Sequence, residues 1–197
     1  MVSSLSPQGR HGVLTIPNGI SLLRLLIVPF VLLFAHRGEF RLAFWLFVFA
    51  AITDGVDGWL ARRLNQRSSV GAMLDPAADK VMAILGFVMF TLSDRIPFRL
   101  PLWLTFTIFV RDFMIVVFAY LLFTRIRIKR FPPTISGKVS TVVQVVTLAA
   151  VIAVNAFSGI GWEGVQMLFK VALVTTLFSA FGYLRRAEIM LKLERAE

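Results

Sequence analysis

Six stretches of about twenty mostly apolar residues recur along this chain, and they leave it few ways to fold. A helix needs about 20 apolar residues to cross the hydrocarbon core of a bilayer, and within that core only helices and closed barrels satisfy their own backbone polar groups. The stretches fall at roughly 17–36, 41–62, 71–93, 100–123, 137–157 and 163–185. The second and third contain acids, and their strongly apolar flanks keep them as spans. Helix breakers separate them: HRGEF, NQRSS, SDRIPF, KRFPPT and SGIGWEG, in chain order. The expected fold is an all-α integral membrane protein with six transmembrane helices. Residues 1–15 are expected as a short interfacial segment and 186–197 as a frayed or interfacial helix. No repeat or separate soluble domain interrupts the pattern, so residues 1–197 read as one membrane domain.

Composition supports this and narrows the chemistry. Hydrophobic residues make up 57% of the chain and mean hydropathy is +0.79, well beyond an ordinary soluble domain. Cysteine is absent, which removes disulfides and thiolate chemistry. The formal net charge is +10. On so apolar a chain that charge suits anionic lipid headgroups and phosphorylated substrates. Nucleic acid is not expected as a partner, because no basic and aromatic interleaving is present. The opening MVSSLSPQGRHGVLT has no short apolar core followed by a small-residue cleavage site, so it does not read as a secretory signal.

Basic residues orient the spans. One side collects Arg10, Arg62, Arg63, Arg67, Arg125, Arg127, Lys129, Arg130, Lys138, Arg185, Arg186, Lys192 and Arg195. The other has only Arg37, Arg41, Arg95 and Arg99. The positive-inside rule therefore places both termini in the cytoplasm of a multi-pass protein of the cell (inner) membrane.

Ionisable residues inside a membrane are costly and mark function. Five of the 11 acids fall in the predicted spans, four of them close together: Asp54, Asp57, Asp75 and Asp79. Asp54 and Asp57 are i, i+3 on the second helix, and Asp75 and Asp79 are i, i+4 on the third, so each pair shares a face. A short hairpin between these helices is expected to bring both pairs to one depth at the cytoplasmic edge. Four carboxylates there cannot all stay ionised without a cation. Oxygen ligands with no Cys or His nearby select a hard ion, Mg²⁺ or Mn²⁺. Four carboxylates suit two such ions, which clamp the attacking and leaving oxygens of a phosphoryl transfer. Gly58, Ala61 and Gly71 would let a flat ligand approach the backbone, and Arg62 supplies a cation for phosphate. Each feature alone has a plain reading: helix-end charges for one Asp pair, helix packing for the small residues, and topology for the arginines. Their coincidence favours function.

The pattern Asp54-x₂-Asp57-Gly58-x₂-Ala61-Arg62-x₈-Gly71-x₃-Asp75-x₃-Asp79 matches at all eight positions the signature of the CDP-alcohol phosphotransferase family. Ile16, Pro17 and Asn18, with Ser21 and Arg24, resemble the matching stretch in its phosphatidylglycerophosphate synthase and cardiolipin synthase branches. The resemblance implies attack by an acceptor hydroxyl on the β-phosphorus of CDP-diacylglycerol, with CMP leaving. It implies that Asp54, Asp57 and Asp75 ligate metal, that Asp79 completes the site as general base, and that Gly58, Ala61, Arg62 and Gly71 line the CDP site. Family members are commonly homodimers, so a homodimer is an open expectation.

The acceptor is less legible. Arg111 and Asp112 lie inside the fourth span, and Lys138 opens the fifth. Arg111 is expected mid-span, with Asp112 its neighbour in sequence but not on its face. Arg111 either pairs with one of the buried carboxylates or joins Lys138 and Arg24 in a phosphate pocket for an anionic acceptor. Lys80, beside Asp79, is expected to relieve carboxylate charge. The first reading of the acceptor is sn-glycerol 3-phosphate, and the second is phosphatidylglycerol, as in a cardiolipin synthase. Arg111-Asp112 and the run from Pro133 to Lys138 lean toward the second. A cation or proton transporter is a remote alternative from another class, since buried carboxylates also build such pathways. It would call for repeat symmetry or helices broken at the midplane, and the acids here cluster at one edge.

Overall fold

The computed structural model describes residues 16–64, 71–126 and 134–194, with the backbone alone for some helical segments, among them 54–64 and 71–79. The described residues form six α-helices and no strand: α1 (Ile16–His36), α2 (Phe40–Leu64), α3 (Gly71–Leu92), α4 (Leu102–Ile126), α5 (Ile135–Ala156) and α6 (Trp162–Glu194). Each sits where an apolar run is predicted, within a few residues at most ends. The exception is α6, which continues through the predicted end at 185 to Glu194. Nothing in RRAEIMLKLE breaks a helix, so the expected interfacial piece is the last part of α6. The predicted N-terminal segment 1–15 lies outside the described residues.

Local chemistry explains the ends. Gly38 takes φ +81° just past α1, and its N–H bonds to the Ala35 carbonyl at 3.1 Å while the Glu39 N–H reaches Phe34 at 2.9 Å. This is a Schellman stop, which favours glycine at the left-handed position. Thr134 caps α5, its hydroxyl accepting from the Gly137 N–H at 3.1 Å. At the other end of α5, Arg41 Nε donates to the Ala156 carbonyl at 3.2 Å, placing a cation at the negative end of the helix dipole. Asn155 stitches the α3–α4 connection to α5, accepting from the Phe98 N–H at 3.0 Å and donating to its carbonyl at 2.9 Å.

α5 is the central helix. It packs against α2, α3 and α6, while α1 bridges α2 and α3, and α6 also packs on α4. The core runs through Phe47, Phe87, Phe90, Leu104, Ile108, Leu148, Ile152 and Phe169. A second, polar seam joins α5 to α6. There Gln144 Nε2 donates to the hydroxyls of Ser140 and Thr176, each at 3.2 Å, and all three residues are buried. Interhelical bonds of this kind hold helices together where burial of apolar surface cannot.

The outer faces carry large exposed apolar side chains, among them Trp45 and Ile52 on α2, Phe106 and Phe113 on α4, and Phe178 and Phe181 on α6. By length and composition, two segments among the described residues are long and apolar enough to cross a membrane: Ile135–Ala156 and Trp162–Ile189. Leu26–His36, Phe40–Thr53 and Lys80–Leu92 form shorter apolar helices among the described residues. Of the six expected spans, all appear as helices among the described residues, and two of these pass that test.

Candidate active site

The signature residues fall on two helices. α2 carries Asp54, Asp57, Gly58, Ala61 and Arg62, and α3 carries Gly71, Asp75 and Asp79. Both helices are continuous through these positions, so the i, i+3 and i, i+4 spacings are helical ones. The side chains of all eight, and of Arg24 on α1, lie outside the described residues. Among the described residues, no group of three or more His, Cys, Asp or Glu could hold a metal ion.

What the structure does describe is the floor beneath them. A cavity of about 280 Å³ opens between α2, α3 and α5, walled by Phe47, Ala50 and Ala51 on α2 and by Met82, Ala83 and Phe87 on α3. Ala50 and Ala51 precede Asp54 by one helical turn, and Met82 and Ala83 follow Asp79 by one turn. Both helices run from the cavity toward the 65–70 connection. A rise of about 5.4 Å per turn therefore carries positions 54 and 79 to one level above it. This register fits a shared carboxylate site for a hard cation bridging two helices. The cavity walls are almost wholly apolar, with Gln144 and Thr141 of α5 as their polar exceptions.

Beside this level the structure assembles a network of charged groups. Asp112 of α4 uses both carboxylate oxygens: Oδ2 pairs with Lys80 Nζ at 2.7 Å, and Oδ1 accepts from Arg111 Nη1 at 2.8 Å. Arg111 is 6% exposed, and its Nε and Nη2 both donate to the Ser179 hydroxyl of α6. Its guanidinium carbon stands 5.6 Å from the centre of the Tyr183 ring, a cation–π distance. This corrects the expectation that Asp112 would stand off the face of Arg111. The i, i+3 and i, i+4 rule describes where Cβ atoms meet, and a guanidinium on a long stem can fold back onto its neighbour. Lys80, expected to relieve the signature carboxylates, pairs among the described residues with Asp112.

The start of α5 closes against the same corner. The Thr134 N–H lies 3.4 Å from the Tyr183 hydroxyl. A Cβ on Gly137 would stand 2.9 Å from that hydroxyl and 3.0 Å from the Thr134 Oγ1, and one on Gly182 would stand 3.1 Å from the Ser136 Oγ. Glycine at 137 and 182 thus lets α5 and α6 close up. Gly137→Ala is expected to cost about 1–3 kcal/mol of stability by overpacking, read as a lowered thermal midpoint in detergent. Lys138 follows directly and is exposed. Tyr183 therefore links Arg111 to the turn that presents Lys138. Arg111 and Lys138 share a corner through this residue, while the Arg24 side chain is not described.

Ser179 and Tyr183 escape a sequence reading. They stand i, i+4 on α6, but nothing in the chain ties them to Arg111, which precedes Ser179 by 68 residues. The one usable signal is that Thr176, Ser179 and Tyr183 form a polar stripe at helical spacing inside an apolar span.

Known proteins share this organisation in sequence. The profile of the CDP-alcohol phosphatidyltransferase family matches residues 14–178, from before α1 to within α6. A human protein named cardiolipin synthase (CMP-forming) is 33% identical over 187 residues, covering 86% of this chain and 60% of that protein. A putative cardiolipin synthase of Mycobacterium tuberculosis is 36% identical over 135 residues, covering 67% of this chain and 61% of the relative. A Pseudomonas fluorescens protein named CDP-diacylglycerol--glycerol-3-phosphate 3-phosphatidyltransferase is 43% identical over 95 residues, or 47% of this chain and 46% of that one. The chain spans about 60% of the length of the first of these relatives. With two signature-bearing helices, the cavity between them and a profile match over most of its length, the chain belongs to the CDP-alcohol phosphatidyltransferase family.

Proposed function

We propose that this protein is a membrane-embedded phosphatidyltransferase that moves the phosphatidyl group of CDP-diacylglycerol to a glycerol-bearing acceptor and releases CMP. The observation that carries the reading is the apolar cavity one turn below the carboxylate level of α2 and α3. A donor whose reacting phosphorus sits among carboxylates and whose acyl chains sit in hydrocarbon needs that juxtaposition. The exposed apolar faces of α2, α4 and α6 suit a bilayer, since exposed apolar area on this scale calls for a nonaqueous neighbour. Six spans, with both termini and the active site on the cytoplasmic side, follow from the apolar runs and the positive-inside count.

The roles follow from chemistry. Asp54, Asp57 and Asp75 would hold Mg²⁺ or Mn²⁺, and four carboxylates suit two such ions. When bound, these ions offset the charge that builds on the diphosphate during transfer. Asp79 takes the proton of the acceptor hydroxyl as its oxygen forms the new bond to the β-phosphorus. The phosphorus–oxygen bond to CMP breaks, and CMP leaves with the electron pair. Arg62 pairs with donor phosphate, while Gly58, Ala61 and Gly71 leave room for the cytidine end. Arg111 and Lys138 face the acceptor's phosphate.

Phosphatidylglycerol is the favoured acceptor, giving cardiolipin. The relative that matches along 86% of this chain bears the cardiolipin synthase name, whereas the glycerol-3-phosphate phosphatidyltransferase of P. fluorescens matches 47%. sn-Glycerol 3-phosphate is the second reading, favoured by the higher identity of that shorter match. Purified protein given CDP-diacylglycerol, Mg²⁺ and each acceptor in turn tests both. Product mass names the acceptor, and no CMP from either alcohol would sink the reading. Lys138→Ala is expected to raise the acceptor KM several-fold while leaving that of CDP-diacylglycerol near the wild-type value. An unchanged acceptor KM would remove Lys138 from the pocket.

A further inference from the structure

Two cations in the helix bundle share one carboxylate. Lys80 and Arg111 both pair with Asp112, at 2.7 and 2.8 Å, and among the described residues no other acid pairs with either. Arg111 is 6% exposed, and the Asp112 side chain is 16% exposed. A buried pair that served only to neutralise Arg111 would need one carboxylate on one cation. Here the second oxygen is spent on a lysine from another helix, the residue that directly follows Asp79. Two cations held on one carboxylate, among the described residues, present donors that an anion can meet. Arg111 is also pinned on its far side, by two N–H donors on Ser179 and by the ring of Tyr183. With the bond to Asp112, these contacts use three of the five donors a guanidinium has, so among the described residues two have no partner.

We infer that Asp112 is a positioning residue: its carboxylate, bridging α3 and α4, sets Lys80 and Arg111 as a fixed two-cation seat for the phosphate of the acceptor. The ligand chemistry is a glycerol-linked phosphate, whether the phosphodiester of phosphatidylglycerol or the monoester of glycerol 3-phosphate. The role rests on the phosphatidyl-transfer reading and adds to it the part that holds the acceptor. Asp112 does not touch the reacting atoms. It acts through the cations, so its loss misplaces the acceptor more than the donor.

The test uses the full chain in detergent–lipid micelles, with Asp112→Asn, Asp112→Glu and Lys80→Gln variants. Each substrate is varied at saturating levels of the other, in separate arms for phosphatidylglycerol and glycerol 3-phosphate. Asp112→Asn is expected to raise the acceptor KM about tenfold or more, in the range for loss of a buried charged partner. The donor KM is expected to stay within about threefold, and Asp112→Glu to recover much of the loss. Lys80→Gln removes the half-exposed cation and leaves the Arg111–Asp112 pair intact, so it keeps the inference testable if Asp112→Asn does not fold. It is expected to shift the acceptor KM in the same direction. Equal rises in both KM values that track a fall in thermal midpoint, or an unchanged acceptor KM, would overturn the role. A wild-type protein that makes no CMP with either acceptor would overturn the phosphatidyl-transfer reading itself, and this role with it.

Discussion

Asp57→Asn and Asp75→Asn are each expected to lower CMP release by about a thousandfold or more, the scale seen when one preorganised electrostatic contact to a transition state is lost. Asparagine keeps the size of the side chain and one acceptor oxygen, but not the charge that a hard cation needs. The two residues come from different helices, so either loss is expected to weaken the proposed metal site from one side. The folded protein should survive, because asparagine matches aspartate in size and is tolerated in a helix. Helicity and elution volume are therefore expected at wild-type values. Chelation of divalent ions should abolish CMP release in the wild type, and added Mg²⁺ or Mn²⁺ should restore it. Isothermal titration gives a readout independent of turnover: the variants should bind Mn²⁺ more weakly than the wild type. Appreciable turnover in either variant would remove that residue from the metal site.

Arg111→Met is expected to be the most damaging change outside the signature. It deletes the cation at a 6% exposed position and strips Asp112 Oδ1 and the Ser179 hydroxyl of their donors. Breaking a buried ion pair by removing one partner costs about 3–5 kcal/mol. Here Lys80 stays on the other oxygen of Asp112, so the loss should fall toward about 2–3 kcal/mol. A lower thermal midpoint in detergent checks it. Arg111→Lys should recover only part, because an ammonium on a flexible stem cannot hold Ser179 and Asp112 together as the planar fork does. By contrast, Arg99 and Asp94 form an equally short pair at 2.7 Å with the acid 91% exposed. Removing that pair should change stability little, since exposed pairs contribute at most about 1 kcal/mol. A midpoint unchanged in Arg111→Met would mean that the bundle closes around the gap.

Hydropathy alone placed the six helices, because long apolar runs separated by breakers mark both their lengths and their ends. The four aspartates were legible for a similar reason. Their spacing is local, set by 3.6 residues per turn, and their charge in so apolar a stretch is conspicuous. α6 ran past its expected end because hydropathy marks where apolar surface stops, whereas a helix stops only where a cap or breaker intervenes.

What only the tertiary structure decided lies between helices. The reach of Lys80 to the Asp112 carboxylate, and the seat that Ser179 and Tyr183 make for Arg111, depend on how α3, α4 and α6 cross. Gly137 and Gly182 carry no mark in the sequence of the close α5–α6 contact that they allow. The cavity between α2, α3 and α5 has no local signature either, since Phe47, Ala50, Met82 and Ala83 are apolar residues within apolar runs. Spacing along one helix is written in the chain. Which faces meet across the bundle is settled by packing, where many weak contacts are satisfied together.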